Sequence, residues 1–252
     1  AGISIDQAVH QITGEPNTTV TLTIKREGRK EPLNFNLKRA LIHVVSVKGI
    51  KRDSADPTKW QFMIDPENKI GYIRITGFQE DTTAELKAAL QSLQEQGCRG
   101  LILDLRFNPG GLLKSAIEIS QLFLNTERNP APTIVSTKGN KTRASEFKAQ
   151  GSPYVSPSLP VVVMVNQYSA SASEIFSGAI KDLHRGLIVG QRSFGKGSVQ
   201  DVMPISDDEK AMFKLTKQYY YLPDGESLHR RDGQPKWGVE PVWENIGDPV
   251  RK

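Results

Sequence analysis

Apolar residues fall at every second position over Thr19–Arg26, where Val20, Leu22 and Ile24 alternate with Thr21, Thr23 and Lys25. The alternation resumes over Leu33–Leu37 after a turn at Glu27-Gly28, so the spacing predicts a hairpin. Ahead of it, residues 4–13 place Ala8, Val9 and Ile12 on one side of a short helix that Gly14 ends. One helix and two strands in about 40 residues cannot close a core. Residues 1–39 therefore read as the closing part of a small module. Residue 1 opens in mid-pattern with neither Met nor a signal-like segment, which reads as a processing boundary.

From residue 40 the texture changes. Leu41–Val47 reads as a strand, residues 48–68 as polar loop, Ile70–Ile75 as a strand, and 81–96 as a helix carrying Leu86, Ala89, Leu90 and Leu93 on its apolar face. Gly100–Leu105 is nearly continuous in apolar residues, the kind of strand covered on both faces of a parallel sheet. A helix follows the Asn108-Pro109-Gly110-Gly111 turn and runs to about Leu124. Prolines at 130, 132, 153, 157 and 160 mark a loop excursion, interrupted by a strand at 133–137. Strand Val161–Asn166, a helix over about 172–184 and strand Leu187–Val189 come next, with more strand to about residue 222 after a glycine-rich turn. Strands alternating with helices predict an α/β fold built on a mostly parallel sheet over residues 40–252.

Composition narrows the class. A chain of 252 residues suggests one large domain, or one ordinary domain with a module attached. The single cysteine, Cys98, excludes a disulfide scaffold and a four-cysteine zinc site, and reads as a small packed hydrophobe. No apolar run approaches the about 18 residues of a membrane-spanning helix. The formal charge is +5, but Lys and Arg are interleaved with acids. The tight clusters, Lys25-Arg26 with Arg29-Lys30 and Lys48 with Lys51-Arg52, lack the aromatic interleaving of a single-strand binder. They read as a solvated face, not a nucleic-acid surface.

Residues 190–198 come close to a phosphate loop, but Gly197 stands where Ser or Thr should follow the lysine. The segment after it alternates like a strand and opens no helix, which argues against nucleotide binding. Ser171-Ala172-Ser173-Glu174 opens a helix and matches a capping box. The same geometry would aim free amides and the positive helix end at an oxyanion forming next to the Ser171 hydroxyl. A serine needs a base. None of His10, His43, His184 and His229 lies in a triad context, and no Gly-x-Ser-x-Gly elbow is present. Ser145-x-x-Lys148 lacks the companion motifs of penicillin-recognising enzymes. Lys196 remains as a base, since desolvation penalises a charged amine.

Several ordered motifs carry a resemblance: IGYIRITGF (70–78), GLILDLRFNPGGLL (100–113), SASASEIFSGAIKD (169–182), VGQRSFGKGSVQ (189–200), and KLTKQYYYLPDGESL (214–228) followed by WGVEP (237–241). Together they resemble the carboxyl-terminal processing peptidases, or tail-specific proteases, which are serine peptidases with a Ser–Lys dyad. Phe107 departs from the pattern, which more often has Asn there. The resemblance implies Ser171 as nucleophile, Lys196 as general base and Gln200 as the residue that orients the lysine amine. Four residues along a regular strand return to one face, which would let Lys196 and Gln200 point together. It implies an oxyanion hole from the Ala172 amide and an amide of the Gly110-Gly111 turn. It also implies an α/β spiral core of the crotonase and Clp-protease type, with residues 1–39 as the second part of a PDZ domain. No metal or cofactor is implied. The partners would be protein or peptide substrates with a free C-terminus, met outside the cytoplasm in the bacterial periplasm or cell envelope, or in the chloroplast lumen. The rival expectation is a catalytically silent binding or scaffold protein of the same fold.

Overall fold

The computed structural model, which describes residue 2 and residues 4–41, 44–124, 131–139, 143–205 and 212–242, separates into two units, Ala1–Val44 and Val45–Lys252. In the first, helix α1 (Ile5–Ile12) starts from a closed capping box. Ser4 Oγ accepts the Gln7 N–H at 3.2 Å and Gln7 Oε1 accepts the Ser4 N–H at 2.9 Å. Strands β1 (Thr19–Ile24) and β2 (Leu33–Lys38) pair antiparallel with Leu22 opposite Phe35, the hairpin that the alternation predicts. The Arg39 guanidinium donates to the carbonyls of Gln11 and Ile12 and to Thr18 Oγ1. Those bonds attach Arg39 to the small unit, whose compact part runs to Val44. Ile5, Val9, Ile12, Phe35 and Leu37 are exposed, as expected where so few elements are available to cover them.

The second unit runs through β3 (Val47–Lys48), β4 (Lys51–Arg52), β5 (Trp60–Gln61), β6 (Met63–Asp65), β7 (Ile70–Ile75), α2 (Thr82–Glu95), β8 (Gly100–Asp104) and α3 (Leu113–Gln121). It continues with β9 (Thr133–Lys138), β10 (Ser145–Lys148), β11 (Val161–Val165), α4 (Ala172–Asp182), β12 (Leu187–Gly190), β13 (Ser198–Pro204) and β14 (Met212–Tyr221). The expected strand Leu41–Val47 shrinks to β3, with residues 42 and 43 outside the described residues. The expected loop at 48–68 contains the short strands β4, β5 and β6.

β12, β11, β8 and β7 lie side by side and parallel, while β3 and β6 pair antiparallel with β7. The expected mostly parallel sheet is therefore only part of the architecture. β10, β9, β14 and β13 form a separate, wholly antiparallel sheet. The reason is connectivity: a crossover helix returns a chain parallel, whereas strands without one fold back on each other.

The core lies between the parallel sheet and its helices. Ile73, Ile75, Leu103, Leu105, Val163 and Val165 are completely buried. The nearly continuous apolar run of β8, broken by the buried Asp104 at its end, reflects its central place, with helices supplying Leu86, Ile119 and Phe176. Phe123 packs edge-to-face on Phe176 with 5.6 Å between ring centroids.

Asp182 ends α4 at the wrong pole of the helix dipole. Burial, and then the charge of Asp224, push its carboxyl up to about 6, although Lys181 and His184 pull the other way. An unfolded aspartate titrates near about 3.9. The folded protein thus holds a proton that the unfolded chain has lost, and stability falls as pH rises through that window. Asp182→Asn is expected to melt at a higher temperature than the native protein at pH 8, with the difference gone at about pH 3.5. Thermal denaturation at both pH values checks this.

Candidate active site

Three turns at the ends of adjacent parallel strands build the site. β8 leads into residues 105–112, β11 into 166–171 and β12 into 191–197. Loops from neighbouring parallel strands converge at the sheet's carboxyl edge, the usual position for a site in such folds. Hydrogen bonds lace them together. Ala170 N–H and Ser173 Oγ–H both donate to the Asn108 carbonyl at 3.0 Å, Ser169 Oγ–H to Leu105 O at 2.8 Å, and Phe194 N–H to Ser169 O at 3.0 Å.

Ser171 immediately precedes α4, with φ 55° and ψ −114°. Those are the angles of the first central residue of a type II′ turn, which glycine normally occupies. Holding a serine there costs about 1–3 kcal/mol, strain of the kind found at catalytic residues. The sequence shows only the capping box. Its Glu174 half is made, with Oε2 accepting the Ser171 N–H at 2.7 Å. The other half is present as well, and the Glu174 N–H also reaches the Ser171 backbone oxygen at 2.9 Å.

Glu174 does more than its position in the motif announces. Its side chain is completely buried, and burial pushes its carboxyl up while its hydrogen bonds pull it down. Oε1 accepts from Ser193 Oγ–H and Gly195 N–H, both at 2.6 Å, and Oε2 accepts from the Lys196 N–H at 2.8 Å as well as from Ser171. One carboxylate oxygen thus bridges the backbones of Ser171 and Lys196, leaving them no more than two hydrogen-bond lengths apart. Ser193 extends the network, since its Oγ accepts the Val239 N–H at 2.6 Å.

The glycines flanking Lys196 have a packing reason. A Cβ on Gly195 would approach Trp237 to 2.7 Å, and one on Gly197 would lie 2.4 Å from the His229 nitrogen. The close approach that they permit is to this chain's own residues 229–237. No helix opens after Gly197: β13 begins at Ser198, as the case against a phosphate loop requires.

Gln200 is exposed, and its Nε2 donates to Thr216 Oγ1 at 3.3 Å. Lys196 precedes β13, and the register shifts between Val199 and Gln200. The premise of a regular strand joining residues 196 and 200 is thereby corrected, because a bulge changes which face a residue takes.

Gly110 (φ +99°) packs against the turn that carries Ser171, where a Cβ would meet Ala170 O at 2.5 Å and the Ser171 Cβ at 2.8 Å. Its N–H donates to Asn108 Oδ1 at 2.9 Å. On Gly111 a Cβ would fall 2.1 Å from Phe78 O. Asp104, completely buried, anchors the start of this turn. Its Oδ1 accepts from Arg106 N–H and Nε–H, and its Oδ2 from an Arg106 guanidinium N–H at 2.8 Å and the Tyr72 hydroxyl at 2.7 Å. Burial, and then the Asp104 carboxylate, push the Tyr72 hydroxyl up to about 12.

A cleft of about 460 Å³ opens beside these groups, lined by Phe107, Pro109, Tyr168, Ala170, Phe194 and Lys196. Sequence reasoning missed the aromatic walls. The unusual Phe at 107 was the available signal. Of the histidines, His229 packs on Tyr219 at 4.8 Å between ring centroids, and His43 lies outside the described residues.

Comparison with known proteins gives the following relationships. The pattern of the family described as Peptidase family S41 matches residues 69–242. A carboxy-terminal-processing protease of Bartonella bacilliformis is 38% identical over 233 residues, 90% of this chain and 48% of that protein. A carboxyl-terminal-processing protease of Synechocystis is 37% identical over 238 residues, 94% of this chain and 51% of that protein. This chain thus spans about half the length of these curated relatives. Among solved structures, a photosystem II D1 C-terminal processing protease superposes with a TM-score of 0.62 at 28% identity, over 91% of this chain and 56% of that one.

Proposed function

Since the chain belongs to peptidase family S41, we propose that its larger unit is a serine endopeptidase that cuts proteins or peptides near their C-termini. Ser171 is the nucleophile and Lys196 its base. The observation that carries the reading is Glu174 Oε2, which binds the amides of both residues at once. Such a tie brings together residues 25 positions apart in sequence, as a two-residue catalytic unit requires.

In this account the Lys196 amine takes the proton from Ser171 Oγ as the oxygen attacks the scissile carbonyl carbon. The tetrahedral oxyanion is met by the Ala172 N–H at the start of α4 and by an amide of the 110–111 turn. Because the Gly110 N–H already serves Asn108, Gly111 is the donor assigned here. The lysine returns its proton to the leaving amine, and the C–N bond breaks. Water, deprotonated by the same amine, then releases the acyl group. An amine acts as a base only when uncharged, so a substrate covering the cleft and excluding water favours the step. Gln200 would accept a hydrogen bond from that amine after leaving Thr216.

The same reading takes the parallel sheet and its helices as the α/β spiral of crotonase and Clp-type proteins. Residues 1–39 are then the second part of a PDZ domain that receives a substrate's free carboxylate. The reaction needs no metal or cofactor, and the setting is extracytoplasmic. The test is a β-casein digest with native protein, Ser171→Ala and Ser171→Gly. Only native protein should cut, and Ser171→Gly should melt above the native protein because glycine relieves the positive φ. No cutting by folded native protein would leave the silent scaffold as the better account, and equal cutting by Ser171→Ala would remove Ser171 as the nucleophile.

A further inference from the structure

Three phenylalanines of the larger unit, Phe78, Phe123 and Phe176, are almost completely buried, whereas Phe107 and Phe194 are 60% and 53% exposed. Tyr168, 54% exposed, lies against Phe107 in a stack with 5.3 Å between centroids and 17° between planes. Exposed apolar rings gathered at one place mark binding surfaces more often than chance exposure. Phe107 adds an independent sign. Its φ is +64°, a conformation in which asparagine or glycine is comfortable and a bulky side chain is strained. The chain holds an exposed ring in a strained backbone, and neither feature helps the fold.

The rings are held from beneath. Asn166 Oδ1 accepts the Phe107 N–H at 3.0 Å and the Tyr168 N–H at 3.1 Å, so one buried side chain fixes both residues. Phe194 is tied through its N–H to Ser169 O at 3.0 Å. All three rings line the cleft that Ala170 and Lys196 also line, and Lys196 is its one charged lining residue among the described residues. The cleft's volume of about 460 Å³ suits a side chain or two, and among the described residues its walls offer a polar one little to bond with.

We propose that Phe107, Tyr168 and Phe194 form a specificity subsite that receives one large apolar side chain, aromatic or branched aliphatic, from the peptide next to the bond to be cut. The inference rests on the peptidase reading for the position of that side chain. The platform itself can be tested without turnover.

The experiment uses Ser171→Ala protein and a set of fluorescent Ala/Ser decapeptides, each carrying a single Phe at a successive position, plus one with none. A Phe at one or two adjacent positions should tighten binding roughly tenfold or more over the Phe-free peptide. Adding Phe107→Asn should reduce that advantage to less than about threefold, and Tyr168→Ser should reduce it similarly. Phe107→Asn should melt no lower than its parent, because asparagine accepts the left-handed backbone. No Phe-dependent binding, or an advantage untouched by either substitution in folded protein, overturns the proposal. Labelling of Ser171 by a fluorophosphonate in otherwise native protein tests the peptidase reading separately, so either can fail while the other stands.

Discussion

Replacing Glu174 by alanine is expected to destabilise the larger unit by about 3–5 kcal/mol, the range for removing a buried charged partner, and to abolish turnover. The side chain is completely enclosed and takes four hydrogen bonds, from Ser171, Ser193, Gly195 and Lys196. Alanine leaves three backbone amides and a hydroxyl buried without that acceptor, and opens a cavity where the carboxylate was. Glu174→Gln separates charge from size. Each carboxylate oxygen faces two donors, so an amide must turn its NH2 toward one such pair. A donor facing donors should cost about 1–3 kcal/mol. Urea unfolding of the three proteins checks the order, with native the most stable and alanine the least. A glutamine variant as stable and as active as the native protein would show that the carboxylate is only a space-filler.

The same residue shows what a linear sequence conceals. Glu174 was legible as a helix cap because capping depends on a spacing of three. Its partners Ser193, Gly195 and Lys196 are about 20 residues away and become neighbours only when β12 pairs beside β11. The strain at Ser171 was illegible for a different reason: serine carries no compositional mark of a positive φ, whereas glycine does. β8 could be read plainly, since a strand buried on both faces leaves a nearly continuous apolar run. The antiparallel sheet could not, because β13 and β14 alternate as any half-covered strand does, and nothing local names their partners. At Gln200 the four-residue rule presumed a regular strand, and a bulge one residue earlier removed the premise. Phe107 was visible as an anomaly, but its stacking on Tyr168 depends on residues 61 positions apart meeting across two loops.

The decisive relationship is between the Lys196 amine and the Ser171 hydroxyl. General-base assistance contributes about 10²–10⁴ in rate, so removing the amine while keeping the chain's bulk should be felt directly. The measurement is the rate at which a fluorophosphonate labels native protein and Lys196→Met, with the modified residue identified by mass spectrometry. The account predicts that native protein is labelled at Ser171 and that Lys196→Met, equally folded, is labelled at least about a hundredfold more slowly. Equal labelling rates, or a label carried on another residue, would contradict it.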